Sequence, residues 1–201
     1  MFFVRNQETL DKNAWRSHSI LEWLRVRDRY CAFWRTPHRR FHRSNCRYPF
    51  RKAIPPDAEA IARLVNAAFG PERFFIDQDR TNAEKVRALL KQGEFLLTEE
   101  ACGLVGCVYV ELRKERGYFG LLAVHPDRQG AGIGSALIRA AEEHCQSAGC
   151  RLMDLTIVNL RKELPDFYRL QGYSESGTEP FPEAERAKMP CHLIRMTKLL
   201  L

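Results

Sequence analysis

The stretch Val124-His125-Pro126-Asp127-Arg128-Gln129-Gly130-Ala131-Gly132-Ile133-Gly134-Ser135-Ala136-Leu137 decides how the rest of the chain is read. An apolar run from Tyr118 to Val124 precedes it and reads as a strand. Behind it, Ile133, Ala136, Leu137, Ala140, Ala141, His144 and Cys145 recur at helical spacing. The glycines therefore occupy a strand-to-helix junction. The first four N–H groups of a helix have no partner within it, and the helix dipole places roughly half a positive charge there. Such a junction attracts an anion, phosphate or pyrophosphate above all. Glycines at 130, 132 and 134 omit the side chains that would keep a bulky anion from the backbone.

Two common phosphate motifs do not fit. No Gly-Lys-Ser/Thr follows, so the loop is not of the Walker type. A dinucleotide fingerprint starting at Gly130 and Gly132 needs a third glycine at 135, which is Ser135. The spacing Gln129-x-x-Gly132-x-Gly134, led in by Leu122-Ala123-Val124-His125-Pro126 and continued by Leu137-Ile138, resembles the Q/R-x-x-G-x-G/A signature of GNAT-type N-acetyltransferases. The resemblance implies that Gln129, Gly130, Ala131, Gly132, Ile133, Gly134 and Ser135 hold the pyrophosphate of acetyl-coenzyme A. The plain alternative is an ordinary glycine-rich connection.

At 201 residues the chain suits one well-cored domain. Its formal charge of +7 resides entirely in residues 1–50, and the remainder is balanced. The basic excess thus says nothing about the part that carries the glycine loop. Seven cysteines without a C-x-x-C pair suggest reduced thiols in a cytoplasm. No apolar run approaches the ~20 residues of a membrane span, and Arg5 interrupts the apolar start Met1-Phe2-Phe3-Val4.

Residues 1–50 read as a basic, aromatic-rich extension, with all three tryptophans and no glycine. Ile20, Trp23, Leu24, Tyr30 and Trp34 fit one face of a helix from about Trp15 to Trp34. Basic residues with interleaved aromatics can bind nucleic acid or an anionic membrane. A loosely attached helix, an inert tail or a start assigned too far upstream explain the same composition. Neither a membrane nor a nucleic-acid partner is expected.

From residue 51 to 201 the pattern is regular. Arg51–Ile54 reads as a short strand ended by Pro55-Pro56. Asp57 is placed to cap a helix with Ile61, Leu64, Val65, Ala68 and Phe69 inward. Thr81-Asn82-Ala83-Glu84 reads as a capping box for a second helix with Val86, Leu89 and Leu90 inward. Phe95–Thr98, Leu104–Leu112 and Tyr118–Val124 follow as strands whose short connections make neighbours antiparallel. After the glycine-loop helix, Leu152–Val158 reads as a buried strand and Glu163–Leu170 as a short helix. Tyr173–Ser176 and Cys191–Thr197 are late strands separated by a proline-bearing loop from Gly177 to Pro190. The order predicts an α+β fold with a mixed sheet.

That order resembles the GNAT fold over about residues 51–198. The resemblance implies a mostly antiparallel sheet of about 6–7 strands flanked by helices, with a parallel, splayed central pair. Asn159 and Phe167-Tyr168-Arg169-Leu170-Gln171-Gly172-Tyr173 resemble a second family signature, although the gap from Asn159 to Tyr168 is longer than its commonest form. By resemblance, the pantetheine arm lies between the splayed strands along Leu122, Ala123 and Val124, with Asn159 nearby. Tyr168 matches the position of the family's general acid; packing of its ring against the sheet is the other reading.

Acetyl transfer to an amine needs a neutral amine, a held carbonyl and a leaving thiolate. Positioning supplies much of the rate, and a backbone N–H such as that of Val124 can polarise the carbonyl. No base stands out: Tyr118–Val124 contains no carboxylate, and Glu111, His125 and His192 are the candidates. The expected function is transfer of acetyl from acetyl-coenzyme A to a primary amine of a small molecule, with no metal. A protein or peptide amine is the alternative acceptor, and a homodimer is left open. A GNAT-fold module that binds acyl-coenzyme A without turnover is the rival from another class. The Gly177–Pro190 loop, with Phe181, Glu183 and Glu185, is expected to shape the acceptor site.

Overall fold

The computed structural model describes residues 48–76, 78–182 and 184–200. The expected helix from Trp15 to Trp34 and the acidic side chain of Glu183 lie outside the described residues. The order of elements follows the sequence pattern. Strand β1 (Arg51–Lys52) leads to helices α1 (Ala58–Ala68) and α2 (Ala83–Leu89), then to strands β2 (Glu94–Glu100), β3 (Gly103–Arg113) and β4 (Arg116–Val124). Helix α3 (Ile133–Ser147), strand β5 (Leu152–Val158), helix α4 (Leu164–Leu170) and strands β6 (Ser174–Pro180) and β7 (His192–Leu199) complete it.

The strands form one 7-stranded sheet in the order β1-β2-β3-β4-β5-β7-β6. Only β4 and β5 run parallel; the other neighbours are antiparallel. Strand β7 inserts between β5 and β6, and pairs with β5 from Leu152↔Leu199 to Val158↔Leu193.

Alternation along the strands divides the core between the two faces. Val108, Val110, Phe119, Met153 and Leu155 meet Ile133, Leu137, Ile138, Ala141 and Cys145 of α3. Phe95, Leu97, Cys107, Tyr109 and Ala123 turn to the other face and meet Ile61, Leu64 and Val65 of α1. Gly117 lets α3 seat this closely. A Cβ at Gly117 would come within 2.5 Å of Cys145 Sγ and 2.7 Å of Met153 Sδ.

Several local expectations need correction. Asp57 sits at the start of α1 but does not cap it with its side chain. Its carboxylate instead accepts the Ile54 N–H at 2.8 Å and two hydrogen bonds from Arg51, at 2.7 and 2.9 Å. The cap of α2 is Asn82, accepting the Lys85 N–H at 2.8 Å. Thr81 gives its N–H to Asn66, so the capping box one residue earlier does not form. Strand β6 runs on through Pro180, which shortens the loop expected from Gly177. Tyr48 and Phe50 precede the expected domain start, yet pack against the α3-side core.

Gly117→Ala is expected to lower stability by about 1–3 kcal/mol through overpacking under α3. A urea unfolding midpoint that does not move would show that the contact relaxes without cost.

Candidate active site between two diverging strands

Strands β4 and β5 pair only at Arg116↔Leu152, Gly117↔Met153 and Tyr118↔Asp154. Beyond that point β4 stays with β3 as far as Gly106↔Val124, and β5 stays with β7. The two therefore diverge, and the β5-facing edge of β4 from Phe119 to Val124 has no strand partner. A bulge sits on β4 where the gap begins. Cys107 pairs with Ala123 and Tyr109 with Gly120, so β4 spends three residues where β3 spends two. Leu121 takes a left-handed φ of 48° there.

The closed end of the gap is bolted across three strands. Arg116 donates two hydrogen bonds of 2.6 Å to Asp154, and Thr197 Oγ1 donates a third of 2.6 Å. Partial burial raises the Asp154 carboxyl, but the hydrogen bonds from Arg116 and Thr197 hold it below its ordinary value. Just beyond, the Tyr118 and Thr156 hydroxyls stand 3.3 Å apart. No sequence pattern signalled this cluster, because its members lie 38 or more positions apart.

The open end leads to the glycine loop. Gly130 and Gly132 have φ of 78° and 85°, which only glycine takes easily. Gly132 is the N-cap of α3 and offers no side chain to its free N–H groups. The first α3 bond runs from Ala136 N–H to Gly132 O, so those of Ile133, Gly134 and Ser135 have no helical acceptor. No acidic residue occupies the first turn. The loop is pinned from outside by Gln129 Nε2 to Val124 O at 3.2 Å and by Tyr48 Oη to Ala131 O at 3.1 Å. The buried Ile133 side chain anchors it below.

The remaining expected residues lie on β4, on α4 and just after β5. Ala123 is buried against β3, while Leu122 and Val124 lie half-buried beside the α3-side core. His125 N–H turns to Val105 O at 2.9 Å. By strand alternation, the Val124 N–H points the other way, toward the open side. Tyr168 on α4 is ringed by Phe119, Phe167 and Tyr173, with centroids 6.0, 5.1 and 6.1 Å away. Its hydroxyl has no hydrogen-bond partner among the described residues, and burial pushes its pKa up, which keeps it protonated. Asn159 accepts the His192 N–H at 2.9 Å and gives its own N–H to His192 O at 3.0 Å. It thus extends the β5–β7 ladder.

The three candidate bases are not brought together. Glu111 is opposite Tyr118, bound by Arg113 through two bonds of 2.9 Å, and held low by that pairing. His125 Nδ1 accepts the Asp127 N–H at 3.4 Å, and His192 is exposed. The buried carboxylate is Glu72, at 7% exposure, on the 3₁₀ turn Gly70–Phe74 between α1 and α2. Its only apparent sequence signal, an acidic residue after Gly-Pro, is indistinguishable from that of an exposed turn.

That turn also meets the β6–β7 loop. Ile76 bridges to Ala187, Lys188 N–H donates to Phe75 O at 2.8 Å, and Phe75 packs edge-on to Phe181 at 6.1 Å. Phe181 is therefore buried in a cluster with Val158. Glu185 is exposed. Among the described residues, no group of three or more His, Cys, Asp or Glu side chains is placed to hold a metal.

Residues 91–175 match the family model described as Acetyltransferase (GNAT) domain. The chain is 28% identical over 135 residues to mycothiol acetyltransferase of Propionibacterium freudenreichii subsp. shermanii, covering 61% of this chain and 42% of that protein. The chain thus spans less than half the length of that curated relative. Its fold is similar to that of Ard1 from Thermoplasma volcanium, with a TM-score of 0.64 at 18% identity, over 77% of this chain and 98% of the other. The ribosomal-protein-S18-alanine N-acetyltransferase from Escherichia coli gives a TM-score of 0.62 at 12% identity, over 76% and 94%.

A Cβ at Gly134 would meet only Val124 Cγ2, at 3.8 Å. Gly134→Val is therefore expected to fold, while its branched methyls crowd the anion site and weaken coenzyme A binding at least ~10-fold, as lost close approach to helix N–H groups implies. Calorimetry giving wild-type affinity for the folded variant would contradict the assignment of this loop.

Proposed function

We propose that this chain, whose residues 91–175 match the family model described as Acetyltransferase (GNAT) domain, is an N-acetyltransferase that moves acetyl from acetyl-coenzyme A to a primary amine of a small molecule. The observation that carries the reading is the unpaired edge of β4 running from the bulge at Leu121 to the free N-terminus of α3. A pyrophosphate on the N–H groups of Ile133, Gly134 and Ser135, within the Gln129–Ser135 cradle, would direct the pantetheine arm into the gap. The amides of that arm would complete the missing strand along Leu122, Ala123 and Val124. The Asn159 Nδ2, which has no hydrogen-bond partner among the described residues, would donate to the same arm.

The chemistry follows from that placement. The neutral amine attacks the thioester carbonyl, whose developing oxyanion a backbone N–H of the unpaired β4 edge receives. The C–S bond then breaks and leaves a thiolate. A free thiol has a pKa near 8.5, and burial holds the Tyr168 proton far more tightly than that. Tyr168 therefore stabilises the departing sulfur as a hydrogen-bond donor, and the proton that ends on sulfur comes from the amine.

The contact between the Gly70–Ile76 segment and the β6–β7 loop supports a small acceptor. It covers the end of β5 and leaves less room for an extended peptide. The free thiols of Cys102, Cys107, Cys145, Cys150 and Cys191 suit a reducing compartment such as the cytoplasm. Acetyl transfer followed by mass spectrometry over small amines and amino-terminal peptides tests the acceptor class. Products confined to peptides would overturn the small-molecule assignment.

Tyr168→Phe removes one hydroxyl and keeps the ring packing. It is expected to lower kcat by roughly ten- to a thousandfold and to leave coenzyme A affinity nearly unchanged, as when a transition-state interaction is lost. The loss should shrink with an acyl donor bearing a better leaving group. Wild-type kcat where chemistry limits the rate would leave Tyr168 with packing alone.

A further inference from the structure

Glu72 is the only carboxylate buried among the described residues. Its 3₁₀ turn is held by backbone bonds, from Glu72 N–H to Phe69 O at 2.9 Å and from Phe75 and Ile76 N–H to Glu72 O at 3.1 and 3.2 Å. The side chain is thus not needed to form the turn. An ionised carboxylate offers about four acceptor positions. Among the described residues only Arg161 Nη1 donates to this one, at a long 3.5 Å, and the Arg161 Nε is committed to Glu163. Neither Glu72 oxygen is among the fully buried atoms left without a partner, so the carboxylate keeps accessible acceptor positions for a further donor.

Its location says what that donor is. The Gly70–Ile76 segment packs Phe75 and Ile76 on Val158, at the end of β5 where the gap is open. Arg161, the residue that holds Glu72, follows Asn159 by two positions just beyond the end of β5, and both charges act electrostatically on the Tyr168 hydroxyl. We propose that Glu72 receives the acceptor: its carboxylate holds the incoming ammonium group and takes the proton the amine must lose before it attacks. The assignment rests on the acetyltransferase reading of the same cleft. It selects a small primary amine that is a cation in solution.

The step balances. R–NH3⁺ gives one proton to Glu72 and becomes R–NH2; the nitrogen bonds to the acetyl carbon and the C–S bond breaks. A second proton from nitrogen ends on the thiolate, and Glu72 returns its proton to solvent. A cavity of about 10 Å³ that Glu72 lines with Asn66, Phe69, Arg73, Asp79 and Arg80 has room for a single water. The groups acting on Glu72 are Arg80 before α2, and Arg161 and Glu163 before α4. Burial raises its pKa, the two arginines lower it, Glu163 raises it, and the balance lies above the ordinary carboxylate value.

The test compares kcat/KM against pH for wild type and Glu72→Gln, in the full chain, with acetyl-coenzyme A and a panel of small mono- and diamines. Wild type should rise through the raised pKa of Glu72 and then hold a plateau below the pKa of the amine. Glu72→Gln should fall ~10²-fold or more at neutral pH, lose the plateau, and climb only as the amine itself deprotonates. Its coenzyme A affinity should stay at the wild-type value. A wild-type profile in Glu72→Gln overturns the assignment. If that variant does not fold, Glu72→Asp decides: a kept plateau at reduced kcat/KM supports the role, and wild-type kcat/KM overturns it. A wild-type chain that binds coenzyme A and acetylates none of the amines overturns the acetyltransferase reading itself, and the role of Glu72 with it.

Discussion

Two neighbouring strands of one sheet stop hydrogen bonding to each other after three residue pairs, and the rest of the site depends on that separation. Each keeps its outer partner, β4 with β3 and β5 with β7, so the separation costs only the ladder between them. The pieces that enforce it are visible. The bulge at Leu121 lengthens β4 on its inner side. The cluster of Phe75, Ile76, Val158 and Phe181 holds the far end of β5. Arg116, Asp154 and Thr197 keep the near end shut.

An open edge inside a sheet leaves N–H and C=O groups that need partners. Leu121 adds roughly 1–2 kcal/mol of left-handed backbone strain for a non-glycine residue. Cost concentrated in one place, against an otherwise well-packed core, is the usual mark of a binding site. Here the uncapped N-terminus of α3, the unpaired edge and the unpartnered Tyr168 hydroxyl make up one candidate cleft. An extended ligand with an anionic end, polar amides along its length and a reactive tip matches them in that order.

The glycine loop was legible because backbone geometry imposed it. Positive φ at 130 and 132 leaves little choice of residue, and the helical spacing from Ile133 onward fixed what followed. The order of elements was legible for a similar reason, since apolar alternation and short connections depend on near neighbours. What stayed hidden depends on distant ones. The insertion of β7 beside β5 has no local signature. Asp57 looked like a helix cap, but Arg51 and the Ile54 N–H compete for its carboxylate. Phe181 read as a loop residue because nothing nearby in sequence announces Phe75. Glu72 gave no sign of burial, which is conferred by the folded arrangement around its turn. Tyr48, whose hydroxyl reaches Ala131, fell before the point where the regular pattern begins.

The central claim is that the gap between β4 and β5 is the seat of coenzyme A. Amide hydrogen exchange of the full chain, with and without saturating coenzyme A, tests it most directly. The account predicts that binding slows exchange along the β4 edge between Leu122 and Val124 and at Ile133 to Ser135, together and at the same ligand concentration. Saturable binding that leaves both segments unchanged, or that protects only residues elsewhere in the chain, would contradict it.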